Sequence, residues 1–346
     1  MRYLLFLIVS VLLAGCGGQD RAVVREAGRL IAKHRYDQAR VVIENALREN
    51  PQNPRLLRLQ VRCFLHTGRP DFAAAACQEL FTVSPRDAVL RQAAADRDPA
   101  LRLAAVRTLG EIKSADSLAV LAKSAVDADK AVRQAVIQAL LKLELPDTLP
   151  VLGKLTCDPD WFVRGNAILA LGELGGADHV AGLFKMLADH DAYIRKSARL
   201  SLQRLATPNN LPAYVPFLAD ADPAARNLAA LILAAAGDPQ ATPVLVAELN
   251  NSASPDLPEI IQTVAKIGTP DALPALRQLA AADGGARLYA ILALGDYQDT
   301  AVAGLLREIQ KNPDTSPEIK TACLVALQKI APPSVKPTVA RSRRTR

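Results

Sequence analysis

Five arginines carry the strongest chemical pattern in the chain. Arg102, Arg133, Arg164, Arg195 and Arg226 stand 31 residues apart, each with an aspartate four residues before it and another six before it. Guanidinium and carboxylate groups at these intervals can pair as ions or serve acid–base chemistry. Repetition of the same constellation five times favours the first use, a structural ladder that organises stacking. The four histidines, His34, His66, His179 and His190, are scattered and form no His-x-x-x-His or His-Glu pair. The chain also lacks a phosphate-binding glycine loop, a nucleophile elbow and a Cys-His motif, so no catalytic residues, metal site or cofactor site can be assembled, and binding is the expected activity.

Two other sets of side chains suit contact with a partner. Arg55, Arg58, Arg62 and His66 follow spacings of three and four and therefore share one helix face. Such a row can clamp an acidic peptide end through bidentate hydrogen bonds, or can simply be a solvated basic face. Trp161 and Phe162, with Tyr193 one repeat later, fall at the starts of successive helices. They read either as packing at repeat junctions or as an aromatic contact on a binding edge.

The elements that position these groups follow from the same ruler. Seven residues after each arginine comes a leucine (Leu109, Leu140, Leu171, Leu202, Leu233), and three after comes a small apolar residue (Ala105, Val136, Ala167, Ala198, Ala229). This is the period of a helix with one buried face. Fourteen residues after the arginine stand Asp116, Asp147, Asp178 and Asn209, and later Asp271, expected to cap a second helix. Each unit reads as helix, turn, helix, and must stack on its neighbours to bury its apolar face. The expected fold is all-α, a right-handed α-solenoid of stacked helix pairs over 96–331. The D-x-D-x-x-x-R pattern with its Leu109-Gly110 and Leu171-Gly172 endings resembles the HEAT repeat of the phycobilisome-lyase-like type. That resemblance implies a scaffold and, at its furthest, a small-ligand or chromophore lyase.

The ruler slips near residue 257, where Leu257 replaces the next arginine between Pro255 and Pro258. An irregular unit is expected there, and a lyase would need its enclosed pocket there. Arg287 arrives one residue early, and Lys320 opens a final half unit expected to act as a cap.

From 20 to 95 the period is 34 instead. Tyr36-Asp37-Gln38-Ala39 is echoed by Pro70-Asp71-Phe72-Ala73, and Asn50-Pro51 by Ser84-Pro85. With Ala27, Ala39 and Ala46, this segment resembles two tetratricopeptide repeats followed by a docking helix over 87–95. The resemblance implies that the row from Arg55 to His66 lines a peptide-binding groove.

Residues 1–15 read as an export signal, with Arg2, the apolar run from Tyr3 to Leu13, and a cleavage site before Cys16. Leu13-Ala14-Gly15-Cys16 resembles the lipobox of bacterial lipoproteins, which implies lipidation of Cys16, a short linker over 16–19 and a location in the cell envelope. Gly17 resembles the pattern sent to the outer membrane, facing the periplasm. Arg21, Arg25, Arg29 and Lys33 follow directly and could reach anionic headgroups.

The formal charge of +7 is unevenly spread. The two ends are basic, whereas 96–331 carries 23 basic against 27 acidic side chains. The tail, 332–346, has three prolines and five basic residues and is expected to be disordered. Sparse aromatics and an exported location argue against nucleic acid. Cys157 and Cys323 fall in columns expected to hold small buried residues, and Cys63 and Cys77 could face each other as a disulfide or remain thiols. Together these features give a membrane-anchored scaffold or adaptor with protein partners. An assembly or quality-control factor is the nearest alternative, and the lyase a more distant one.

Overall fold

The computed structural model describes residues 21–84 and 88–330. The proposed signal, Cys16, its linker and the basic tail lie outside the described residues. Within them the chain is helical, with no strand, as the all-α solenoid reading requires. It divides into two compact units, one of residues up to His179 with Ala188–Arg204, the other of Val180–Leu187 with Leu205 onward.

The first unit begins with α1 (21–32), α2 (Tyr36–Glu49), α3 (Pro54–His66), α4 (Pro70–Val83) and the short α5 (Val89–Ala93). Val89, Leu90 and Ala93 of α5 are buried, and the helix covers fewer residues than 87–95. The repeating pairs follow: α6 (Pro99–Ile112) with α7 (Leu118–Ser124), α8 (Lys130–Leu143) with α9 (Leu149–Leu155), and then α10 (Trp161–Leu174) and α12 (Ala192–Leu205), whereas α11 (Ala177–Lys185) belongs from Val180 onward to the second unit. α4 packs on α6, and successive first helices pack on one another, α6 on α8 and α8 on α10. Every residue in the leucine and small-residue columns is buried. Burying each leucine contributes about 1.5–3 kcal/mol, so these columns set the register of the stack.

The Leu-Gly endings have a steric cause. A Cβ on Gly110 would lie 2.9 Å from the Ala139 Cα, and one on Gly172 would lie 2.6 Å from the Ser201 Cα. Glycine lets neighbouring first helices approach backbone to backbone.

In the second unit, α13 (Pro223–Ala235), α15 (Leu257–Ile267), α17 (Arg287–Asp296) and α19 (Pro317–Ile330) stack in order, with α14 (Ala241–Glu248), α16 (Leu273–Ala281) and α18 (Ala303–Lys311) between them. The irregularity expected at Leu257 takes a definite form. First helices from α6 to α13 start three residues before the arginine, but α15 starts at position 257 itself and α17 at Arg287, and Leu257 is a core residue. Lys320 restores the register, three residues into α19.

Two sequence expectations need correction. The column of Asp116, Asp147 and Asp271 does not cap the second helices. Each lies inside a short 3₁₀ turn that leads into the helix, and Asp178 lies in the first turn of α11. Their carboxylates therefore act on the helix N-terminus through charge. After Asn209 the second helix is replaced by two 3₁₀ turns, Leu211–Ala213 and Val215–Ala219, each containing a proline that supplies no N–H. The second correction concerns Cys157, which is exposed, as are Val126, Ala188 and Ala219 of the same column. These residues sit in the connection before the first helix, Ala188 and Ala219 as the last residues of 3₁₀ turns, and face solvent.

Candidate functional site

The D-x-D-x-x-x-R motif resolves into three separate jobs. The second aspartate caps the first helix: Asp98, Asp129, Asp160, Asp191 and Asp222 accept from the backbone N–H two residues on, at 2.7–3.0 Å. The first aspartate tightens the preceding turn, as when Asp127 Oδ1 accepts from the Asp129 N–H at 2.8 Å. The arginine then donates through Nη1 to two carbonyls of its own loop, as Arg164 does to Asp158 and Pro159 at 2.8 and 3.2 Å.

In two of the five arginines the remaining nitrogens bond to the next repeat. Arg102 donates to both carboxylate oxygens of Asp127 at 2.7 and 2.8 Å, and Arg133 to both of Asp158 at 2.6 and 2.8 Å. The bond to Arg102 holds the Asp127 carboxyl below its ordinary range and raises the guanidinium's own affinity for its proton. Ion pairing is therefore what the charges of Arg102, Asp127, Arg133 and Asp158 do.

In the second unit the ladder is rebuilt from different residues. Arg277 binds both oxygens of Asp299 at 2.7 and 2.9 Å, and Arg287 and Lys320 each donate to a carbonyl seven residues back. Ahead of Leu257, a buried polar group of Asn227, Glu248 and Ser254 occupies the junction, with Arg226 3.8 Å from Glu248. Burial pushes the Glu248 carboxyl up, but hydrogen bonds from Asn227, Ser254 and Asn251 and the charge of Arg226 outweigh it, leaving it lowered. Apart from Arg226, the partners of Glu248 and the pair Arg277–Asp299 fall outside the columns of the 31-residue ruler.

Trp161, Phe162 and Tyr193 do come together. Trp161 stands edge-on to both other rings, at 5.5 Å from Phe162 and 5.2 Å from Tyr193, and Phe162 stacks on Tyr193 at 6.2 Å. Trp161 remains 49% exposed and Phe162 40%. Gly165 makes the cluster possible, since a Cβ there would lie 2.0 Å from the Tyr193 ring. The trio thus packs at a repeat junction and also presents ring surface to solvent.

On α3, Arg55, Arg58 and Arg62 are exposed in a row, as the spacing predicts. His66 is different: it is half-buried and stacked on Tyr36, with centroids 4.6 Å apart, and the Tyr36 hydroxyl lies 2.8 Å from His34 Nδ1. Burial, then the charge of Arg62, lowers the His66 pKa, with Asp96 and Asp98 opposing. His66 therefore acts as a platform at the end of the row.

The cysteines separate. Cys63 packs with Ala27, Ile31 and Ile43, whereas Cys77 belongs to the larger core with Leu80 and Val89, so the two side chains lie in separate clusters. Cys323 is fully buried, as its column predicts. Among the described residues, no three His, Cys, Asp or Glu side chains gather to hold a metal ion, and no helix is long and apolar enough to cross a membrane.

Comparison with known proteins identifies the repeats. Residues 61–141, 124–203 and 211–287 match the family described as HEAT repeats. No curated protein sequence matches the chain significantly. Among solved structures, an engineered protein is similar at 18% identity over 89% of this chain and 98% of its own, with a TM-score of 0.38. The Escherichia coli protein YibA is similar at 16% identity over 74% and 95%, with a TM-score of 0.41. The CpcE–CpcF complex of phycocyanin lyase from Nostoc sp. PCC7120 is similar at 19% identity over 70% and 94%, with a TM-score of 0.33.

Proposed function

Because the chain belongs to the HEAT-repeat family, we propose that it is a scaffold or adaptor that holds a partner protein by equilibrium binding and performs no chemistry on it. The aromatic trio is the observation that carries this reading. Half-exposed Trp and Phe rings, fixed in place by a glycine, have the composition and rigidity of interface anchors. The exposed row Arg55, Arg58 and Arg62 supplies a second contact, suited to acidic side chains or a peptide carboxylate. The resemblance of 20–87 to tetratricopeptide repeats supports a groove on that face.

The same proposal places the protein at the bacterial cell envelope, anchored through acyl chains on Cys16 and facing the periplasm from the outer membrane. Two or three acyl chains hold a protein firmly to a bilayer. Capture would then concentrate the partner at the membrane surface.

The test is crosslinking in intact cells followed by mass spectrometry, comparing the wild type with Trp161→Ala/Phe162→Ala and Arg58→Glu/Arg62→Glu. Loss of one abundant partner in either variant, with helicity unchanged, is the expected result. A partner list unaltered in both variants would overturn the assignment of these surfaces.

A further inference from the structure

The structure joins two features that are separate in the sequence. Arg21, Arg25 and Arg29 are exposed on α1, and the Arg25 Nε donates to the Arg21 carbonyl at 3.2 Å. An open concavity of about 320 Å³ brings Arg21 beside Arg55, so the basic row of α3 continues onto α1. A second concavity sets Val42 of α2 beside Ala22, Val23, Arg25 and Arg29. Neighbouring Val41 is 53% exposed. Glu26 lines the second concavity, and Asp37 and Glu44 flank Val41 on α2, both beside Arg40. The result is a surface of valines edged by arginines.

We propose that this face of α1 and α2 docks on anionic phospholipid headgroups. The inference rests on the proposed lipid anchor at Cys16. Only residues 17–20 separate that cysteine from Arg21, a leash of at most about 18 Å when fully extended. The arginines match phosphate in charge and bidentate geometry, and the valines suit the boundary between headgroups and acyl chains. A protein partner for this face would have to compete with a bilayer surface already tethered beside it. Docking would fix the orientation of the first unit on the membrane, where an anchor alone leaves it free to turn.

The experiment uses the full acylated chain on vesicles and reads hydrogen exchange of the backbone amides in 21–32. Slower exchange is expected on vesicles with about 30 mol % phosphatidylglycerol than on pure phosphatidylcholine, and about 0.5 M salt should abolish the difference. Arg21→Glu/Arg25→Glu/Arg29→Glu should lose the protection, with headgroup affinity falling on the order of a hundred-fold, whereas the triple Lys variant should keep most of it. Equal exchange on both lipids, or protection that survives the Glu variant, would overturn the proposal. The mass of the N-terminal peptide tests the anchor separately. Were the chain unacylated, its sedimentation with the same vesicles at low salt would decide, and indifference to phosphatidylglycerol would again overturn the docking face.

Discussion

Arg133 and Asp158, 25 residues apart, meet through two parallel hydrogen bonds, Nε to Oδ2 at 2.6 Å and Nη2 to Oδ1 at 2.8 Å. Both side chains are at least nine-tenths buried, so each charge depends on the other for its solvation. Replacing one alone, as in Arg133→Met, strands a buried carboxylate and should cost about 3–5 kcal/mol. Changing both, as in Arg133→Met/Asp158→Leu, should cost distinctly less. Urea midpoints of the two variants measure the difference.

The Arg102–Asp127 pair makes stability depend on acid. Asp127 titrates below its ordinary value because Arg102 hydrogen bonds to the ionised form. Its contribution is therefore complete above a pH of about 4 and is lost as pH falls through its depressed value. Arg102→Gln should flatten the acid limb of the stability profile, measured by denaturation at stepped pH.

His66 gives a second, oppositely charged dependence. Its folded pKa is lowered, first by burial and then by Arg62, so below about pH 6.5 the unfolded chain binds its proton more readily than the folded one. Stability from this group rises with pH between the depressed value and the ordinary one, and is full above it. Arg62→Gln should move the His66 titration upward, as followed by the ring-proton shifts in NMR.

The glycines at helix crossings should rank by what a methyl group would strike. Gly172→Ala meets the Ser201 backbone, and Gly295→Ala meets the Ala326 Cα at 2.7 Å, so both should destabilise by about 1–3 kcal/mol. Gly165→Ala instead meets the Tyr193 ring, which can swing outward. It should cost less stability while breaking the aromatic trio, seen as a change in the fluorescence of Trp161, the chain's single tryptophan.

The thiols should react in two classes. Cys157 is exposed and should alkylate in the native protein within the ordinary time of a free thiol. Burial pushes the Cys63 thiol up to about 11, and Cys63, Cys77 and Cys323 should react only on unfolding. Mass spectrometry after timed labelling counts each class.

The 31-residue ruler made the buried columns, the helix pairs and the inter-unit charge pairing legible, because each copy repeats the same local physics. The exposed rings of Trp161 and Phe162 were legible as a junction. The space Gly165 leaves for Tyr193 was not, because it depends on two residues 28 apart whose columns carry no common pattern. The caps were misread for a related reason. Asp98 and Asp116 both precede helices, and only backbone geometry distinguishes a cap from a first-turn residue, the latter bonded here to Ser114. The substitutes for the ladder after Leu257 escaped because a helix that starts three residues late moves every partner out of its column.

The exposed residue before each first aspartate has a further consequence. Val126, Cys157 and Ala188 differ in size and chemistry, yet the turn, the cap and the arginine bonds around them are the same. The backbone there is specified entirely by its neighbours. Sequence drift at these positions is therefore almost free, and a row of one editable side chain per repeat runs beside a rigid track. Over generations such a row can be rewritten to suit a new ligand while the scaffold that displays it stays untouched.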